Sequence, residues 1–73
     1  MNTQCTIILN HLKEFGSITQ LEALSEYGIM RLASRISQLR GAGYPITSVL
    51  EHKTNRYGRE VRYARYFMEE AQA

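Results

Sequence analysis

Residues 28–40, GIMRLASRISQLR, decide how this chain is to be read, because they set Arg31, Arg35 and Arg40 among Ile29, Leu32, Ile36 and Leu39. At 100° per residue Ile29, Leu32, Ala33, Ile36 and Leu39 share one arc, the apolar stripe of an amphipathic helix. Arg31, Ser34 and Gln38 fall on the opposite arc, with Arg35 at its edge. Arg40 projects nearer the apolar side at the helix end, where a long side chain can snorkel or meet the last carbonyls. The pattern predicts a helix from about Ile29 to Arg40, with Gly41 and Gly43 punctuating its end. No acid occurs in it, whereas a solvated helix face usually mixes Glu with Lys. Its polar residues also suit a major groove. Arginine reads guanine bidentately, glutamine can pair with adenine, and serine reaches bases or phosphates.

The flanking sequence supplies a frame for this helix. TQCTIILNHLKEFG puts Cys5, Ile8, Leu9, Leu12 and Phe15 at helical spacing and stops at Gly16, predicting a helix near residues 3–15. Ser17-Ile18 reads as a connector. Thr19 opens a capping box with Glu22 three residues on. The helix it starts, QLEALSEY over residues 20–27, would turn Leu21, Leu24 and Tyr27 inward and stop at Gly28. Beyond Tyr44-Pro45 the pattern changes. ITSVLEHK at 46–53 is rich in β-branched residues, TNRYG at 54–58 is a turn signal, and EVRYARYF at 60–67 favours a strand. Val61, Ala64 and Met68 also fit a helix, so the second of these segments stays open between strand and helix. The reading is a hairpin over about 45–67 with a basic tip. Three short helices followed by a β-hairpin make a mainly α, α+β domain with the element order of a winged helix-turn-helix.

The totals bound the rest. Seventy-three residues are expected to form one small domain with no room for a second core. The composition, 44% hydrophobic and 22% charged, is that of a globular protein. No apolar run approaches the ~20 residues of a membrane span and no signal-peptide pattern opens the chain, so a cytoplasmic location is expected. A single cysteine, Cys5, leaves no internal disulfide. The net charge of +2 hides a polarised chain. Residues 31–65 carry eight cations against Glu51 and Glu60, a local +6. The remainder carries Lys13 against five glutamates, a local −4. A basic, arginine-rich second half points to a polyanion-facing surface.

Within that surface Lys53, Arg56 and Arg59 flank the predicted hairpin tip, where cations would lie beside phosphates or in a minor groove. Tyr57 could stack there or serve only as a turn residue. Arg62 and Arg65 point to opposite faces of a strand, so not all arginines can reach one ligand. Gln20 and the amides around it, at the start of the second helix, are a candidate phosphate contact.

The run YGIMRLASRISQLRGAGYPI, followed by TNRYG and ARY, resembles the small winged helix-turn-helix proteins of bacteriophages and prophages. The likeness covers about Thr19 to Tyr66. In that family a Gly-Ile-x-Arg-Leu-Ala-x-Arg-Ile-x-x-Leu-Arg string forms the recognition helix, and an Asn-x-x-Gly turn forms the wing. The resemblance implies double-stranded DNA as partner, a bacterial or phage origin and a nucleoid-associated location in the host cell. Arg31 and Arg35 belong to the family string itself. They read bases, or else hold the fold or phosphates, in which case base choice falls to Met30, Ser34, Ser37 and Gln38.

Catalytic constellations are scarce. The sequence has no aspartate and two histidines, and Cys5 and His11 fall on different helix faces, which argues against zinc or thiolate chemistry. Cys5 reads as a small core residue, and Glu22 belongs to the capping box. No cofactor and no enzymatic activity are expected. Two function classes remain: a DNA-binding regulator or recombination accessory factor, and an adaptor or anti-repressor whose basic face docks on an acidic phage or host protein. If the chain forms a homodimer, the first helix and the C-terminal residues are its expected surfaces.

Overall fold

The computed structural model describes residues 2–69. Three helices, α1 (Thr3–Phe15), α2 (Gln20–Tyr27) and α3 (Leu32–Gly41), are interleaved with β1 (Ser17–Thr19), β2 (Ile46–Thr54) and β3 (Glu60–Met68). This is an α+β arrangement in which the antiparallel sheet runs β1-β3-β2.

Local chemistry fixes each boundary. Asn2 caps α1 by accepting from the Gln4 amide at 2.7 Å. The expected capping box is formed: the Glu22 amide donates to Thr19 Oγ1 at 3.2 Å and the Thr19 amide donates to Glu22 Oε1 at 2.9 Å. Residues 60–68 form a strand, which resolves the choice left open for that segment. Their β-branched and aromatic side chains pair in register with β2 from Ile46↔Met68 to Thr54↔Glu60.

The core is built from Cys5, Ile8, Leu9 and Leu12 of α1, Ile18, Ala23, Ile29, then Leu32, Ile36 and Leu39 of α3, and Ile46. Tyr44, Tyr66 and Met68 pack against it. Along β3 these inward residues alternate with outward ones, so Tyr66, opposite Ile18, packs against the core while Arg65, opposite Thr19, lies on the other face of the sheet. The hairpin continues past the helical body. A compact chain of this length would have a radius of gyration of about 11 Å, and the observed 13.0 Å, with extents of 42 × 27 × 20 Å, reflects that projection.

Four expectations need correction. Ser17-Ile18 is no mere connector, because Ser17–Thr19 pairs with Arg65–Phe67 and makes the sheet three-stranded. Burying Ile18 beside Tyr66 holds this short strand in place. The third helix begins at Leu32, not Ile29. Gly28 takes the left-handed conformation (φ 68°) and Ile29 donates its amide back to the Ala23 carbonyl at 3.1 Å, so Ile29–Arg31 form the turn. Ile29 is nonetheless fully buried. In α2 the inward residue is Ala23. Leu21 and Leu24 are 71% and 46% exposed and Tyr27 is exposed too, because Ile18 and Ile29 supply the core volume on either side of this short helix. Phe15 and Ala33 also lie outside the core; Phe15 packs on the His11 ring with centroids 4.6 Å apart.

These burials separate two kinds of leucine and isoleucine. Ile36→Ala should cost about 2–5 kcal/mol of stability through the cavity it leaves, whereas Leu21→Ala should stay within about 0.5 kcal/mol. Urea denaturation of both variants checks the pair, and equal losses would contradict the core assignment.

Candidate nucleic-acid interface

Three arginines that look alike in the sequence have different surroundings. Arg40 Nε donates to the Ile46 carbonyl at 2.9 Å, and its guanidinium lies 6.0 Å from the Tyr66 ring centroid, so it fastens α3 to the start of β2. Arg35 is half-buried; its Nε donates to Gln4 Oε1 and its Nη1 to Gln38 Oε1, both at 3.0 Å. Arg35 therefore ties α3 to the N-terminal turn of α1. Arg31 is the residue before α3, exposed, with no side-chain hydrogen bond or ion pair among the described residues.

The other expected contact residues sort in the same way. Gln20 is committed to the turn: its Nε2 donates to the Ile29 carbonyl at 2.7 Å and its Oε1 accepts from the Leu32 amide at 3.0 Å. One side chain thus satisfies a carbonyl of the turn and an orphan amide of the next helix. Gln38 is exposed, but its Oε1 accepts from Arg35 and from Cys5 Sγ at 3.3 Å. Pairing with adenine through both amide atoms would require breaking those bonds. Met30, 76% exposed, and Ser37, exposed, border α3 on its solvent side, and Ser34 is half-buried there.

At the far end, Asn55 organises the hairpin tip. Its Oδ1 accepts from the Tyr57 and Arg59 amides at 2.9 and 3.0 Å, its amide donates to the Arg59 carbonyl at 2.8 Å, and Gly58 (φ 78°) closes the turn onto the Asn55 carbonyl at 3.0 Å. Lys53, Arg56 and Arg59 are exposed around this turn, and their side chains have no hydrogen-bond or ionic partner among the described residues. Tyr57 is 81% exposed.

Between tip and body sits a residue that the sequence reading left without a role. Arg65 Nε donates to Glu51 Oε1 on β2 at 3.0 Å, its Nη1 donates to Ser17 Oγ on β1 at 3.2 Å, and the same nitrogen lies 3.7 Å from Glu22 on α2. It joins all three strands to α2. The hydrogen bond from Arg65 holds the Glu51 carboxyl below its ordinary value of 4.5, and the same bond raises the Arg65 guanidinium. The strand alternation placed Arg65 on one face, but its partners come from elements whose pairing only the assembled sheet reveals. Gln4 was missed for the same reason, since it meets Arg35 across 31 residues of chain.

His11 is buried, with Nδ1 2.6 Å from the Tyr27 hydroxyl, and so fills a packing role between α1 and α2. Cys5 is buried in the core. No helix among the described residues is long and apolar enough to cross a membrane. Of the expected dimer surfaces, residues 70–73 lie outside the described part of the chain.

A family model described as a winged helix-turn-helix domain matches residues 3–71. No curated protein matches the chain.

The Glu51–Arg65 pair gives a signed prediction. Because the folded carboxyl titrates below its unfolded value, its contribution is fully present above pH 4.5 and is lost as pH falls through the depressed value. The gap in melting temperature between the native protein and Arg65→Gln should be widest near neutral pH and should narrow below about pH 4. Thermal melts across that range check it, and a gap that widened in acid would contradict the pairing.

Proposed function

The chain belongs to the winged helix-turn-helix domain family, and from that premise we propose that it binds double-stranded DNA. The observation that carries the reading is the contrast among its cations. Arg35, Arg40 and Arg65 are consumed by internal bonds, while Arg31, Lys53, Arg56 and Arg59 are exposed and uncommitted at the start of α3 and around the hairpin tip. A folded chain gains nothing internal from such cations, and a polyanion releases counterions when it meets them.

In this reading the solvent side of α3 enters the major groove, led by Met30 and Arg31 at its N-terminal end, with Ser34 and Ser37 following. Gln38 contributes its remaining Nε2 donor. Lys53, Arg56 and Arg59 lie along the backbone, or reach into the minor groove, as the hairpin wing. Gln20 and Arg35 act from behind: Gln20 sets where α3 starts, and Arg35 holds α3 and Gln38 against α1. The protein is then a transcriptional regulator or a recombination accessory factor of phage or prophage type, working in a bacterial cytoplasm.

Fluorescence anisotropy with a random-sequence duplex over a salt series tests the wing. Arg56→Ala and Arg59→Ala should each weaken binding and reduce the slope of log K against log salt by about 1. With a site selected from a random-sequence pool, Arg31→Ala should cost about 1–3 kcal/mol at that site and much less on random DNA. Unchanged affinity and salt slope in the two wing variants would remove the hairpin from the interface. A Gln20→Ala variant should instead lose about 1–3 kcal/mol of folding stability, because the Leu32 amide is left without its acceptor.

A further inference from the structure

A groove of about 650 Å³ runs between the first turn of α2 and the outer half of the hairpin. Its apolar surface comes from Leu21, Val61 and Tyr63, and its cationic lining from Lys53, Arg56 and Arg62. Leu21 is the less expected member. It stands 71% exposed at the second position of a helix, with nothing in the core requiring it to be apolar.

The sheet adds a second observation. β1 pairs with β3 only at Arg65–Phe67, whereas β2 covers β3 from Glu60 to Met68. Residues 60–64 of β3 therefore have a strand on one side only, and the groove opens beside that unpaired edge. Unpaired strand edges present backbone donors and acceptors that an incoming strand can complete.

We propose that this groove docks an extended acidic peptide segment of a partner protein, laid along residues 60–64 of β3 as a continuation of β1. The segment's period of two would send alternate apolar side chains onto Leu21, Val61 and Tyr63. The residues between them would bring carboxylates toward Arg62 on the other face of β3, while Lys53, on the same face as Val61, and Arg56 add positive potential at the end of the groove. Charge complementarity selects acidic over basic segments. Arg65, also in the lining, is already neutralised by Glu51, and the Arg62–Glu60 contact at 3.8 Å is exposed and easily exchanged. A peptide fits better than a nucleic acid for two reasons: the unpaired edge of β3 offers backbone donors and acceptors that an extended strand completes, and aliphatic Leu21 and Val61 have no stacking surface for a base. Because Lys53 and Arg56 also belong to the proposed wing, peptide and duplex would compete.

The test uses the full chain and a fluorescein-labelled short peptide alternating aspartate with leucine, beside a control in which serine replaces every leucine. The leucine peptide should bind at least about tenfold more tightly than the serine control, the difference expected when an apolar side chain leaves water. Leu21→Ser should abolish that preference while leaving duplex affinity unchanged, and being exposed it should not unfold the chain. Hydrogen exchange should show new protection at alternate amides of residues 60–64 with the leucine peptide. Absence of binding, equal binding of the two peptides, or a Leu21→Ser variant that keeps its preference would each overturn the proposal. A loss of duplex affinity in Leu21→Ser matching its loss of peptide would make the groove part of the DNA path and would also overturn it. Failure of the duplex arm alone would count against the DNA reading and leave the groove proposal standing on its peptide arms.

Discussion

The two hydrogen bonds of the Gln20 side chain govern much of this molecule. By holding the Ile29 carbonyl and the Leu32 amide together, Gln20 closes the turn that follows α2 and caps the start of α3. Gly28 makes the turn conformationally accessible, since its φ of 68° is strained for other residues. Gln20 then decides how the turn closes. The consequence is functional geometry: Met30 and Arg31 stand ahead of α3 instead of on its first turn, exposed, while Ile29 remains buried in the core between them and Ala23.

A second constraint joins the hairpin to the body. A nine-residue hairpin arm that extends past its helical support is a flexible object unless its base is anchored. Arg65 meets that need with one guanidinium that reaches β1, β2 and α2. It remains partly solvent-exposed, so its value lies more in fixing the direction of the arm than in stabilising the fold. Arg40, bonded to the Ile46 carbonyl, performs a similar task at the other end of β2. The basic half of the chain is thus divided between arginines that aim the surface and cations that compose it.

Much of the fold was legible in the sequence because the signals were local. The capping box at Thr19 and Glu22, the glycine stop at Gly16 and the Asn55-to-Gly58 turn all formed as read. What failed was decided at a distance. A three-residue strand such as Ser17–Thr19 carries too little pattern to announce itself; it exists because β3 offers an edge and Ile18 a burial site. Leu21 and Leu24 looked inward by helical spacing, yet an eight-residue helix presents one narrow contact, and Ala23 takes it. The helical wheel from Ile29 gave the right faces for Ile36, Leu39 and Gln38, but it drew Arg31 onto a helix that had not started. Composition identified the arginines as a group. Their separation into internal and free members needed Gln4, Glu51 and Ile46, none of them neighbours in sequence.

That separation is also what the functional account rests on, and backbone amide NMR during titration with a duplex tests it most directly. The account predicts chemical-shift changes concentrated at residues 30–37 and 53–59, fading as salt is raised, with the outer face of α1 unaffected. Shift changes confined to α1, or none at low salt with the protein folded, would contradict the claim that these uncommitted cations form a DNA-binding surface.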